Sequence, residues 1–137
     1  MLPEFLTLIS ASEENGSEYA QIMLQSFGDF LEADILEKML EDPSVRVWLL
    51  RKEEKSIGCI SFQLKEIHKT GYIFNVAVIP EEQKKGCGSL LMKKCLEWLK
   101  GKGFSKGALM VAAENNNALN LYKSIGFEVK DVDLVML

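Results

Sequence analysis

From Phe5 onward, short apolar runs alternate with stretches in which apolar residues recur every three or four positions. FLTLIS (5–10) has the composition of a first strand. Ser12 can cap a helix, and Tyr19, Ile22, Met23, Ser26 and Phe27 after it share one helical face. Gly28 interrupts that period. Phe30 to Glu41 predicts a second helix, with Leu31, Ile35, Leu36 and Met39 inward and Pro43 ending it. VRVWLLR (45–51), IGCISFQLKEI (57–67) and YIFNVAVI (72–79) then read as strands, separated by the polar turns RKEEKS and HKTG and stopped at Pro80. The period lengthens again over 88–100, where Leu91, Cys95, Trp98 and Leu99 face inward and Lys93, Lys94, Glu97 and Lys100 outward. Gly101 and Gly103 end that helix, and ALMV (108–111) predicts a buried strand. A last helix begins within AENNN, carries Ala118, Leu121, Tyr122 and Ile125 on one stripe, and stops at Gly126. FEV and VDLVML close the chain as short strands.

Strand 72–79, helix 88–100 and strand 108–111 form one βαβ unit, so the middle of the sheet is expected to be parallel there. The hairpins before it are antiparallel. The fold class is therefore α/β: a mixed, mostly antiparallel sheet of about six to seven strands with a parallel centre, flanked by four helices. A chain of 137 residues can bury one core, and a single domain over 1–137 is expected.

Composition adds mainly exclusions. With 47% hydrophobic and 26% charged residues and no repeat, this is an ordinary globular mixture. MLPEFLTLISASEEN has no basic leader and no span-length apolar run, so a cytoplasmic protein with no membrane partner is expected. Cys59, Cys87 and Cys95 stand in no metal-ligand spacing beside a lone His68, which suits free thiols and no metal. Net charge is −4, but residues 1–45 carry ten acids against Lys38 alone, giving −9 there and +5 beyond. Solvated helix faces account for most of that asymmetry; a cationic partner on the acidic side is the sharper reading. The acidic balance disfavours nucleic acid.

QKKGCGSLLMKKCLEWLKGKG (83–103) carries the chemistry. Two glycines allow close backbone approach, and the helix behind them offers unpaired N–H groups at the positive end of its dipole. Loop and helix together read as a phosphate cradle. Gly-x-Gly alone is weak. A dinucleotide fingerprint wants a third glycine where Leu91 stands, and a P-loop wants a lysine directly after the second glycine, where Ser89 stands.

The order strand, Pro80, two acids, then Gln83-Lys84-Lys85-Gly86-Cys87-Gly88 and a helix resembles the pyrophosphate loop of the GNAT family of acetyl-CoA-dependent N-acetyltransferases, Gln/Arg-x-x-Gly-x-Gly/Ala. NVAVIPEE (75–82) resembles the family's preceding strand. Asn115-Asn-Asn-Ala118-Leu-Asn-Leu121-Tyr122, followed by Gly126-Phe127, resembles its downstream signature. The match runs from about Val45 to about Phe127, and residues 1–45 share only the strand–helix–helix order.

That resemblance implies direct transfer of an acetyl group from acetyl-CoA, as co-substrate, to a primary amine of a small molecule or a protein lysine or N-terminus. It implies that Gln83, Lys84, Lys85, Gly86, Cys87 and Gly88 hold the pyrophosphate, chiefly through backbone N–H groups. Val76 and Val78 pair with the pantetheine arm as a neighbouring strand would, and the Val78 N–H meets the acetyl carbonyl as an oxyanion donor. Asn115 contacts the pantetheine, and Tyr122 is the general acid for the departing thiolate rather than a plain core aromatic.

Two features depart from the family. The central-strand positions where a glutamate base is expected hold Tyr72, Asn75 and Met110, none of them a base near neutral pH. Glu32, Asp34, Glu66, Glu114 and His68 are alternatives, as is a water chain with no dedicated base; His68 in its polar turn reads more simply as solvent-facing. Only ten residues follow Phe127, so the closing hairpin is short, and either the acceptor pocket is open or a second subunit completes it as a homodimer. Cys87 sits at a helix start, which lowers thiol pKa, yet direct transfer needs no nucleophile there; Trp48 and Trp98 read as core aromatics. The rivals are a non-catalytic acyl-CoA-binding sensor or interaction module, which the missing base favours, and an unrelated ATP- or NAD-binding domain.

Overall fold

The computed structural model of the chain describes residues 5–27, 33–110, 123, 128–130 and 133–136. Seven strands form one sheet in the order β1-β2-β3-β4-β5-β7-β6. They are β1 (Leu6–Ser10), β2 (Val45–Lys52), β3 (Lys55–Lys65), β4 (Thr70–Val78), β5 (Lys106–Met110), β6 (Glu128–Lys130) and β7 (Asp133–Met136). Neighbours run antiparallel except β4 and β5, which are parallel as the βαβ pattern required. The strand count and the mixed sheet agree with the sequence. Three α-helices are described: α1 (Gly16–Phe27), α2 (Ala33–Glu41) and α3 (Cys87–Gly101). The expected fourth helix falls outside the described residues.

Local sequence explains the elements that frame the site. Ser12 caps a short 3-10 turn, Glu13–Asn15, in a reciprocal capping box: its amide donates to Asn15 Oδ1 at 2.6 Å. The helix proper then starts at Gly16, whose missing side chain leaves room for Leu36 of α2. On the other face, α3 lies close to the sheet because Gly71 and Gly107 give it no side chain to ride over. A Cβ on Gly71 would sit 2.6 Å from both methyl carbons of Leu99. The core is continuous, running from Tyr19 and Ile22 of α1 through Leu49, Leu50, Ile60 and Phe62 to Leu91, Met92, Cys95 and Leu99 of α3. Trp48, Phe62 and Trp98 stack edge to face, with centroids 5.0 to 6.0 Å apart, at one end of that layer. Trp48 is buried as expected; Trp98 is only partly so, and Arg46 and Lys102 lie over its ring.

Two irregularities in the sheet matter for function. First, β3 and β4 change register between Ser61 and Phe62, because Ser61 faces Asn75 while Phe62 faces Ile73, which leaves Phe74 as an extra residue. Second, among the described residues β5 follows β4 from Thr70–Lys106 to Ile73–Leu109 and no further. The bulge and the end of parallel pairing coincide.

Candidate active site

Beyond the bulge, β4 has no strand partner other than β3 among the described residues. Ile79 donates its N–H to the Ile57 carbonyl at 2.9 Å, so 79 and 57 form a hydrogen-bonded antiparallel pair. Such pairs alternate, which puts Val78–Gly58 and Val76–Ile60 at non-hydrogen-bonded positions. The backbone groups of Val76 and Val78 therefore point away from β3, toward the side where β5 has parted. The Val78 carbonyl is met there by Gln83 Nε2 at 2.9 Å, which ties the first residue of the glycine loop to the strand end.

The loop leads directly from that edge into α3. Pro80–Glu82 forms one 3-10 turn, and Lys84 and Gly86 take left-handed backbone at φ 63° and 85°. Gly86 is the N-cap of α3, and its carbonyl accepts the Leu90 N–H at 3.0 Å. No side chain caps this helix end. The amides of Gly86, Cys87, Gly88 and Ser89 have no acceptor among the described residues, as the first turn of a helix dictates. A Cβ on Gly86 would have no heavy atom within 4 Å, so the space above the turn is open. Four free donors, an uncapped dipole and open space fit an anion.

Charge around the loop is partly neutralised. Glu82 lies between Lys52 and Lys85, 3.3 and 3.4 Å from their ammonium groups. Burial would raise its carboxyl pKa, but the hydrogen bonds and charge of Lys52 and Lys85 outweigh that and hold it low. Lys84 and Lys85 are exposed. Cys87 corrects the expectation for a helix-start thiol. It is buried at 8% exposure, and burial, then Glu82, push its pKa up rather than down.

A polar cluster on the α1 side escaped the sequence reading. Tyr19 of α1, fully buried, shares a 2.8 Å hydrogen bond with Ser61 Oγ of β3, and Asn75 Nδ2 of β4 donates to the Tyr19 hydroxyl at 2.7 Å. Burial, with a smaller push from Cys59, raises the Tyr19 pKa to about 12, so it remains a neutral phenol. Tyr19 was assigned only to a helix face, and Ser61 only to a strand. Their partners lie 42 and 56 residues away, and no local pattern signals that.

Of the expected site residues, Val76, Val78, Gln83, Lys84, Lys85, Gly86, Cys87 and Gly88 adjoin one another along the edge and loop. Asn115 and Tyr122 lie outside the described residues, as do Glu32 and Glu114. Tyr72 is 41% exposed on β4, and Phe74 beside it is 45% exposed. Glu66 and His68 are exposed in the β3–β4 turn, Glu66 paired with Lys69 at 3.1 Å, away from the loop at the other end of β4. The described residues include no group of three or more potential metal ligands and no helix long and apolar enough to cross a membrane.

The chain has matches among known families, curated proteins and solved structures. Residues 10–127 match the model of the acetyltransferase (GNAT) family. An uncharacterized N-acetyltransferase of Methanocaldococcus jannaschii is 28% identical over 100 residues, covering 62% of this chain and 44% of its own. Matches to mycothiol acetyltransferases cover 19% and 36% of those proteins, so the chain spans less than half the length of these curated relatives. The ribosomal-protein-S18-alanine N-acetyltransferase of Escherichia coli has the same fold, with TM-score 0.83 at 20% identity over 96% of this chain and 91% of that one. The PaiA N-acetyltransferase of Thermoplasma acidophilum, solved in complex with coenzyme A, gives TM-score 0.77 at 16% identity over 96% of each chain.

Proposed function

The chain belongs to the GNAT acetyltransferase family, and from that premise we propose that it moves an acetyl group from acetyl-CoA to a primary amine by direct transfer, acting as one domain over 1–137. The observation that carries the reading is the juxtaposition of the β4 segment beyond its described pairing with β5, where the Val76 backbone points away from β3, with an uncapped, glycine-opened helix start. An extended thioester arm suits the edge, and its pyrophosphate suits the loop.

In this scheme the amides of Lys85, Gly86 and Gly88 hold the pyrophosphate, with Gln83, Lys84 and Cys87 shaping the turn. The Val76 backbone pairs with the arm, and the Val78 N–H, on the same side of the strand, donates to the developing oxyanion. Asn115 contacts the arm. Tyr122 gives its phenolic proton to the departing thiolate; the support is the spacing from Asn115 through Ala118 and Leu121 to Gly126-Phe127. The acceptor is a primary amine, cationic before it reacts, consistent with the acids of residues 1–45. The short closing strands β6 and β7, three and four residues long, leave that side for an open pocket or a second subunit of a homodimer. Free buried thiols suit a cytoplasmic setting.

The test is release of free CoA thiol in the presence of primary amines, for the natural chain and Tyr122→Phe. Loss of about 10²- to 10⁴-fold in kcat with acetyl-CoA affinity retained supports the assignment. Unchanged turnover removes Tyr122 as the acid. The absence of a carboxylate or imidazole from the Tyr19–Ser61–Asn75 cluster favours a second reading, a non-catalytic acyl-CoA-binding sensor, which predicts tight binding and no thiol release with any amine.

A further inference from the structure

A buried hydrogen-bonded cluster is costly to assemble and stays in an apolar core only when its groups are satisfied. Tyr19, Ser61 and Asn75 meet that condition on one side only. The Tyr19 hydroxyl accepts from Asn75 Nδ2 and shares a hydrogen bond with Ser61 Oγ, so the two inner members are paired. Asn75 is half-buried, and its Oδ1 and second amide hydrogen have no partner among the described residues. It sits directly after the extra residue Phe74, at the point where β5 has left β4, one residue before Val76 turns its backbone into the gap. The bulge also brings Asn75 onto the α1 side beside Tyr19. With one Nδ2 hydrogen committed inward, Oδ1 and the second amide hydrogen are left to face a ligand, and Oδ1 is the one that can accept from an amine.

We propose that Asn75, fixed by Tyr19 and Ser61, accepts a hydrogen bond from the attacking amine and aims its lone pair without removing its proton. The inference rests on the acetyltransferase reading above. Tyr19 is the positioning residue; Asn75 is the group that touches the acceptor. Among the described residues, the titratable groups around this cluster are Tyr19 from α1, bonded to Asn75, Cys59 from β3, whose charge would act on Tyr19, and Tyr72, three residues before Asn75 on its own strand. None carries a carboxylate, imidazole or amine. In this scheme the ammonium form loses its proton to water before attack. The amine nitrogen then bonds to the acetyl carbon, the C–S bond breaks with its electron pair on sulfur, and the thiolate is protonated.

The consequence is a pH profile that belongs to the acceptor. With a series of small primary amines of graded basicity at saturating acetyl-CoA, log kcat/KM for the natural chain should fall with unit slope below a break that follows each amine's own pKa. Asn75→Asp puts a carboxylate at the same place, and its break should move at least one pH unit lower and stop following the amine. Tyr19→Phe should lower kcat about tenfold with KM for acetyl-CoA and the break unchanged. A natural-chain break that is the same for every amine overturns the proposal without any variant, because it reveals an enzymic base. An Asn75→Asp profile superimposed on that of the natural chain overturns it too, as does failure to acetylate any of these amines while acetyl-CoA binds. Failure to bind acetyl-CoA at all removes the acetyltransferase reading instead.

Discussion

Gly86 separates the conformational role of the loop from its proposed electrostatic one. At φ 85° an L side chain costs about 1–2 kcal/mol, and stiffening of the unfolded chain on Gly→Ala returns about 0.4–1 kcal/mol. No steric cost is added, since a Cβ there would meet no heavy atom within 4 Å. Gly86→Ala should thus lose about 1 kcal/mol net, a fall in Tm of about 3–4 °C for a chain of 137 residues. Its CoA affinity should stay within about fivefold of the natural value, because the amides of Gly86, Cys87, Gly88 and Ser89 are untouched. Gly86→Glu carries the same backbone cost and places a carboxylate where the pyrophosphate would lie. At about 5 Å and an effective dielectric near 20 the repulsion is about 3 kcal/mol, or roughly two orders of magnitude in Kd. Thermal melts and calorimetric titration of both variants give the two quantities separately. Equal CoA affinity for the alanine and glutamate variants would show that no anion sits at this helix end.

The close approach of α3 to the sheet should make Gly71→Ala cost about 1–3 kcal/mol, because its Cβ meets both methyls of Leu99, itself 2% exposed with no room to turn. Gly107→Ala makes one close contact, with Leu96 Cδ2 at 2.6 Å on a half-buried side chain that can swing away, while Leu99 at 3.7 Å is in ordinary contact, and it should cost under about 1 kcal/mol; equal losses in thermal melts would refute that contrast. Asp42, held low by the Ser44 hydroxyl and then its amide, and Glu82, held low by Lys52 and Lys85, both have depressed folded-state pKa values. Their contribution is complete above the ordinary values of 3.8 and 4.5 and is lost as pH falls through the depressed ones. Asp42→Asn with Glu82→Gln should therefore flatten the acid limb of stability in urea titrations below those values; an unchanged limb contradicts the assignment. Burial pushes the Cys59 and Cys95 thiols up to about 12, so neither should react with a thiol reagent at pH 8 until urea unfolds the chain. Native-state labelling at either position would place it at the surface.

Much of the architecture was legible because it rests on local rules. The apolar, β-branched runs over 45–51 and 72–79, the helical stripe ending in Cys95 and Leu99, and Pro80 as a stop each use only neighbours in sequence. The glycine loop was legible for the same reason: left-handed backbone at Gly86 and an uncapped α3 are written in Gly86-Cys87-Gly88. The bulge at Phe74 was not, since it is set by the mismatch between β3 and β4 and neither strand alone marks it. The Tyr19–Ser61–Asn75 cluster was hidden for a related reason. Each member looks ordinary on its own element, and only the packing of α1 on β3 and β4 joins them. Cys87 shows the same limit, for burial and Glu82 override the helix-start effect that its position suggests.

The central claim is that β4 beyond its bulge and the α3 loop together hold an acyl-CoA, and calorimetric titration of the natural chain with acetyl-CoA, CoA, ATP and NAD tests it most directly. One-to-one binding of acetyl-CoA and CoA, with ATP and NAD at least a hundredfold weaker, is the predicted result. Folded protein that ignores acetyl-CoA, or prefers ATP or NAD, would contradict it and leave the glycines as a tight turn before a helix.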